Sequence, residues 1–282
     1  MSKPLLEALA REVSDSIGLI FLGFCGKGAF KETYKAEQKN KQIVALKIIG
    51  CDSIDEVRTD REIDALRRCC TPRIAKLIER RKYIALDGKT YDVVLEEYLD
   101  GGSLESRLNS DQYTQEQVMQ LVRGLVLAVQ ELYVLRLVHR DIKPANIMYR
   151  IGSEDPVLVD FGLVRDLSQS SITLSWLPHG PGTPFYAPPE QLNNDKALID
   201  WRADQFAIGV VAAVAIGGRH PYQGKGLSPG DAVHAVLERR PLAPEFVDDM
   251  KKRDLSVLVR MVRPWPVQRY SNPQALLSDI KI

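Results

Sequence analysis

Asp141, Lys143 and Asn146 put a carboxylate, an ammonium and an amide within six residues, and a second carboxylate, Asp160, follows fourteen residues after Asn146. Those types at that spacing suit the transfer of a phosphoryl group from a nucleotide. Such a transfer asks little covalent chemistry of a protein. It needs an acceptor for a hydroxyl proton, oxygen ligands to hold a divalent cation against the phosphates, and positive charge on the group in transit. One carboxylate can take the proton, the ammonium can supply the charge, and the amide and the second carboxylate offer the oxygens.

Bringing Asp160 back to the 141–146 stretch requires a hairpin, and the sequence predicts one. Ile147–Arg150 and Val157–Val159 read as short strands around the turn-forming Gly152–Pro156. Ahead of them, Val118, Leu121, Val122, Leu125, Val129, Leu132 and Tyr133 form one stripe of a long helix ending near Leu135. Further helices are expected near Trp201–Ile216, Pro229–Glu238, Asp254–Val262 and Pro273–Ile280. Phe206 to Ile216 is apolar all round, which marks a buried helix too short to span a bilayer.

The first hundred residues read instead as strands around one helix. Ile43–Ile49 is a nearly continuous β-branched run, with Ala45 and Lys47 on one face and Val44, Leu46 and Ile48 on the other. Ser53–Cys69 reads as a helix with Ser53 as N-cap, and Ile74–Ile84 and Tyr91–Tyr98 as strands flanking the Asp87-Gly88 turn. A boundary between the β-rich and helical parts is expected near Leu99–Gly102.

With 38 Lys+Arg against 37 Asp+Glu, no bulk field draws the chain to nucleic acid or to an anionic membrane. No secretory signal is evident. The four cysteines lie in the first quarter without metal-type spacing, and read as reduced thiols of a cytoplasmic protein. His179, His220 and His234 are scattered, and the clusters Arg80-Arg81-Lys82 and Lys251-Lys252-Arg253 read as solvated faces.

His139-Arg140-Asp141-Ile142-Lys143-Pro144-Ala145-Asn146, with Asp160-Phe161-Gly162 behind it, resembles the H-R-D-x-K-x-x-N and D-F-G signatures of protein kinases. The likeness extends over nearly the whole chain, which is similar to a eukaryotic-type serine/threonine protein kinase catalytic domain. The resemblance implies an α+β, two-lobed fold over 1–282. It would have a β-rich N-lobe (about 15–99) with one main helix, a mostly helical C-lobe (about 100–282) and ATP in the cleft.

It also implies residue roles. Asp141 would accept the substrate hydroxyl proton, Lys143 would neutralise the transferred phosphate, and Asn146 and Asp160 would hold Mg2+, with Mn2+ as an alternative. Gly26, Lys27 and Gly28 open a glycine-rich loop over the phosphates, although its third glycine is Lys31 and its usual valine is Thr33. Lys31 could face phosphate or solvent, and solvent is the favoured expectation. Ala45 would line the nucleotide site. Lys47 would hold the α- and β-phosphates and pair with a helix glutamate, Glu62 by choice and Glu56 otherwise. Adenine would bond the carbonyl of Glu97 and the N–H of Leu99. Glu96 would then guard the back of the pocket, where an uncharged side chain is usual. Two accounts stay open there: Glu96 pairs with Lys47, or the register is off by one.

Lys143 and Gly182-Thr183-Pro184 fit the serine/threonine members, with Thr183 facing the acceptor hydroxyl. Pro188-Pro189-Glu190 stands where the family has A-P-E. Glu190 should pair with Arg269, and Asp204 should brace the catalytic loop. Arg140 points to a phosphate acceptor among Ser168, Ser170, Ser171, Thr173 and Ser175, hence to autophosphorylation. The expected function is transfer of the ATP γ-phosphate to Ser/Thr of proteins. The alternatives are a pseudokinase acting as a nucleotide-binding scaffold and, further off, a small-molecule phosphotransferase.

Overall fold

The computed structural model describes residues 6–27, 31–50, 53–108, 112–168 and 183–281. The chain divides into two compact units, Met1–Asp100 and Gly101–Ile282.

The first unit is built on a five-stranded antiparallel sheet. Its elements run α1 (Glu7–Ile17), β1 (Ile20–Lys27), β2 (Lys31–Glu37), β3 (Ile43–Gly50), α2 (Ser53–Arg68), β4 (Leu77–Ile84) and β5 (Thr90–Glu97). The strand order is β1-β2-β3-β5-β4, so the apolar β3 lies at the centre and is covered on both faces. Tyr34, Val44, Leu46, Ile48, Val93 and Leu95 pack with Ala10 and Val13 of α1 on one face. Ile49 and Val94 pack with Ile63 of α2 on the other. The alternation read from the sequence is therefore the one the sheet adopts, but two helices, not one, use it. The short amphipathic α1 was missed; Gly18, left-handed at φ 74°, closes it. The α2 helix takes in Ser53, so the residue expected to cap it lies inside its first turn.

The second unit is mostly helical. It contains α3 (Leu104–Leu108), α4 (Gln115–Val134), the two-residue strands β6 (Leu137–Val138), β7 (Ile147–Met148), β8 (Val157–Leu158) and β9 (Arg165–Asp166), then α5 (Pro189–Leu192), α6 (Trp201–Gly217), α7 (Pro229–Leu237), α8 (Pro244–Lys252), α9 (Ser256–Met261) and α10 (Pro273–Asp279). Thr114 and Gln117 close a capping box that starts α4. The stripe predicted on α4 is buried except for Tyr133, and α6 is buried along nearly its whole length. A β-carbon on Gly209 would meet Val262 Cγ1 at 2.6 Å, so α6 admits the segment after α9 only because that residue is glycine. The sequence reading had missed α3 and α8. The expected hairpin forms: β7 pairs antiparallel with β8.

Candidate active site

In the second unit the loop between β6 and β7 is held by side chains that bond its backbone and by the Arg140 side chain. Asp204, in the first turn of buried α6, accepts the N–H of His139 at 2.8 Å and of Arg140 at 2.9 Å. Burial nevertheless pushes the Asp204 carboxyl above its usual range. Gln191 Nε2 donates to the Arg140 carbonyl at 2.7 Å, and Arg140 Nε donates to the Leu163 carbonyl at 2.7 Å. These bonds hold Arg140 at φ 67°, a left-handed conformation that costs a non-glycine residue about 1–3 kcal/mol. Asp160, also at φ 67°, is the other strained position of the motif. Its stretch is clipped to the loop where Val159 N–H donates to the Asn146 carbonyl at 3.1 Å. The bracing role expected of Asp204 is thus what the geometry shows.

Four donors converge on the Asp141 carboxylate. Oδ2 accepts from Lys143 Nζ at 2.8 Å and Asn146 Nδ2 at 3.0 Å; Oδ1 accepts from Thr183 N–H at 3.2 Å and Thr183 Oγ1 at 3.0 Å. Lys143 Nζ also donates to Thr183 Oγ1 at 2.9 Å. A hydroxyl between this carboxylate and this ammonium therefore donates to one and accepts from the other. With Nδ2 turned to Asp141, Asn146 keeps its amide oxygen, and Asp160 adds a carboxylate close by in the fold. Hard oxygen donors of this kind suit a divalent cation that takes its remaining ligands from phosphate and water.

Glu190 and Arg269 form the expected pair, bidentate at 2.6 and 3.0 Å with both side chains fully buried. Three carbonyls, those of Arg263, Arg202 and Pro264, take further Arg269 N–H groups.

In the first unit Gly26 and Lys27 end β1, while Gly28 lies outside the described residues. Ala45 sits on β3 opposite Glu96 of β5, with Glu97 ending β5 and Leu99 buried beyond it. The ion pairs correct the sequence reading. Lys47 Nζ meets Glu96 Oε2 at 2.5 Å, both buried, which decides between the two accounts of Glu96. Glu62 does point inward, but its partner is Lys31 at 2.5 Å, not Lys47. Lys31 is therefore not solvated. Glu56, the alternative partner, instead meets Lys82 at 2.8 Å. A second carboxylate on the same sheet face has taken Lys47, and pattern alone could not rank the two. Of the Arg80-Arg81-Lys82 cluster, Arg81 and Lys82 are exposed as expected, but Arg80 is largely buried against Asp92 and Asp60 of α2, and Lys82 also reaches Asp92.

Of the serines and threonine proposed as phosphate acceptors, only Ser168 lies among the described residues, where its N–H donates to Asp166 Oδ1 at 2.8 Å. No described helix is long and apolar enough to cross a membrane.

Comparison with known proteins agrees with this geometry. The protein kinase domain family matches residues 21–279. A probable serine/threonine-protein kinase of Streptomyces coelicolor is 27% identical over 91% of this chain and 38% of its own length. Myosin light chain kinase A of Dictyostelium discoideum is 30% identical over 76% of this chain and 69% of its own. The serine/threonine-protein kinase PknD of Mycobacterium tuberculosis is 30% identical over 76% of this chain but 32% of its own. The chain thus spans about two fifths or less of these bacterial relatives, and about two thirds of the Dictyostelium one. Members of the family use ATP with a divalent cation. The chain belongs to the protein kinase domain family.

Proposed function

We propose that this chain transfers the γ-phosphate of ATP to serine and threonine hydroxyls of protein substrates, its own loop among them. The observation that carries this is the Asp141 carboxylate with a hydroxyl at 3.0 Å on one oxygen and Lys143 on the other. A substrate hydroxyl in such a place gives its proton to Asp141 as it attacks, and Lys143 steadies the charge leaving ATP. Thr183 orients both groups. Asn146 and Asp160 would hold Mg2+, which when bound would neutralise charge on the phosphate oxygens. Gly26, Lys27 and Gly28 cover the phosphates, Lys47 faces them, Ala45 lines the base, and Glu97 and Leu99 bond its edge through their backbone. The names of the relatives and the lysine two places after Asp141 support serine and threonine over tyrosine. The balance of charge and the cysteine usage support a cytoplasmic setting.

A scaffold without turnover is the lesser reading, because every group the chemistry requires is present and Asp141 is held in place. Labelled ATP with a generic protein acceptor tests the proposal. Turnover should fall about 10²–10⁴-fold in Asp141→Ala. Wild type no faster than that variant would sink the enzyme reading, and transfer to a sugar but not to protein would redirect it to small molecules.

A further inference from the structure

Two residues of the first unit depart from the kinase pattern with opposite charge, and they lie on one face of one sheet. Lys31 stands at a glycine position and Glu96 at one that is usually uncharged. The register sets Lys31 opposite Ile49, Thr33 opposite Lys47, and Ala45 opposite Glu96. Residues two apart on a strand share a face. Lys31, Lys47 and Glu96 therefore join Ile49 and Val94 on the side that α2 covers, where Glu62 meets them. The side chains of these four groups are at most 9% exposed. Two ammoniums and two carboxylates cancel. Either departure alone would leave an uncompensated charge in a buried place, which is strongly unfavourable. Together they do not.

The pairing also changes which cation is available to a ligand. Glu96 Oε2 holds Lys47, while Glu96 Oε1 is buried without a hydrogen-bond partner among the described residues. A half-satisfied buried carboxylate has no second donor with which to replace its ammonium, so it keeps Lys47 toward β5. The helix glutamate, which ordinarily aims the β3 lysine, aims Lys31 instead. Lys31 also follows Gly28 by only three residues in the sequence.

We infer that Lys31 is a second phosphate-binding residue of the nucleotide site, oriented by Glu62, and that Glu96 makes it necessary by engaging Lys47. The inference rests on the kinase reading above and adds to it a residue and a cause. Calorimetry on the full chain with Mg2+, comparing ATP with adenosine, tests it. Lys31→Met should weaken ATP about 10–100-fold, the worth of a charged hydrogen bond, and leave adenosine within about twofold. Lys31→Arg should keep most of the ATP affinity. Adding Glu96→Met to Lys31→Met should recover the greater part of the loss, because Lys47 is then released to Glu62 and the phosphates. Should Lys31→Met not fold, Lys31→Gln with Glu62→Gln removes both charges together and permits the same comparison. ATP affinity unchanged by loss of Lys31, ATP and adenosine weakening in parallel, or no recovery in the double variant would each overturn the inference. Turnover by wild type that Asp141→Ala abolishes keeps the kinase reading standing whichever way the Lys31 result falls.

Discussion

The two units handle buried charge in opposite ways. In the second unit Asp141, Glu190 and Arg269 follow the family pattern and are saturated. Asp141 has four donors, and Arg269 satisfies Glu190 and three carbonyls besides. In the first unit the groups that would face a nucleotide have exchanged partners, and one carboxylate oxygen of Glu96 is left over. Saturation fixes a geometry, whereas one-to-one pairs change partners when a neighbouring charge is added or removed. Under the proposed function, the half assigned proton transfer is built to stay still, and the half assigned the nucleotide is built from pairs that can be exchanged.

Breaking the saturated side should have the larger consequence. Arg269→Met leaves Glu190 buried without its cation and strands three carbonyls, so it should cost about 3–5 kcal/mol in urea denaturation. A loss under 1 kcal/mol would mean that the second unit is no more committed to its ion pair than the first. Next in size is a pH effect confined to the second unit. His220 is buried against Phe185 and Tyr222, its Nδ1 accepting the Tyr222 N–H at 3.2 Å and its Nε2 without a hydrogen-bond partner among the described residues. The network thus assigns the proton of the neutral ring to Nε2. Burial pushes its pKa down to about 4 from an ordinary 6.5. The unfolded chain therefore binds the proton first as pH falls. The stability is fully present above pH 6.5 and drains as pH drops toward 4. Between pH 6.5 and 5, before most carboxylates titrate, the loss should be about 1.6 kcal/mol, its slope rising toward about 1.4 per unit. His220→Gln should flatten that slope. A slope unchanged by the substitution would assign the acid sensitivity elsewhere.

The same contrast explains what could be read in advance. Asp141, Lys143 and Asn146 sit on one loop whose short-range bonds are implied by spacing, so their meeting was legible. So were the α4 stripe and the doubly covered β3, whereas the Glu190–Arg269 pair, 79 residues apart in the chain, came from the family resemblance. The ion pairs of the first unit join residues 31 and 49 apart in the chain. There, one lysine had two carboxylates to choose between, and the choice turns on sheet register and side-chain reach, which periodicity does not supply. The short helices α1, α3 and α8 were missed for a related reason: few turns give few repeats of a period, and packing rather than pattern holds them. A signal for Lys31 did exist, since two opposite departures from one pattern invite a search for compensation.

The smallest expected effect probes how far exchange extends in the first unit. Asp92 is fully buried and shared by Arg80 at 2.8 Å and Lys82 at 3.1 Å, and each of these also reaches α2, through Asp60 and Glu56. Lys82 and Glu56 are both nearly half exposed, so water screens their pair and Arg80 still serves Asp92 when Lys82 is gone. Lys82→Ala should therefore cost no more than about 1 kcal/mol, and less still in high salt. Arg80, only 16% exposed and bonded to Asp92 through Nε, is the member that the buried carboxylate depends on, and Arg80→Ala should cost more than its neighbour. Equal losses would mean that the two cations share Asp92 evenly. In that case exchangeable pairing would extend beyond the nucleotide-facing groups, and α2, which carries Glu62, would be held by contacts as interchangeable as the one it makes with Lys31.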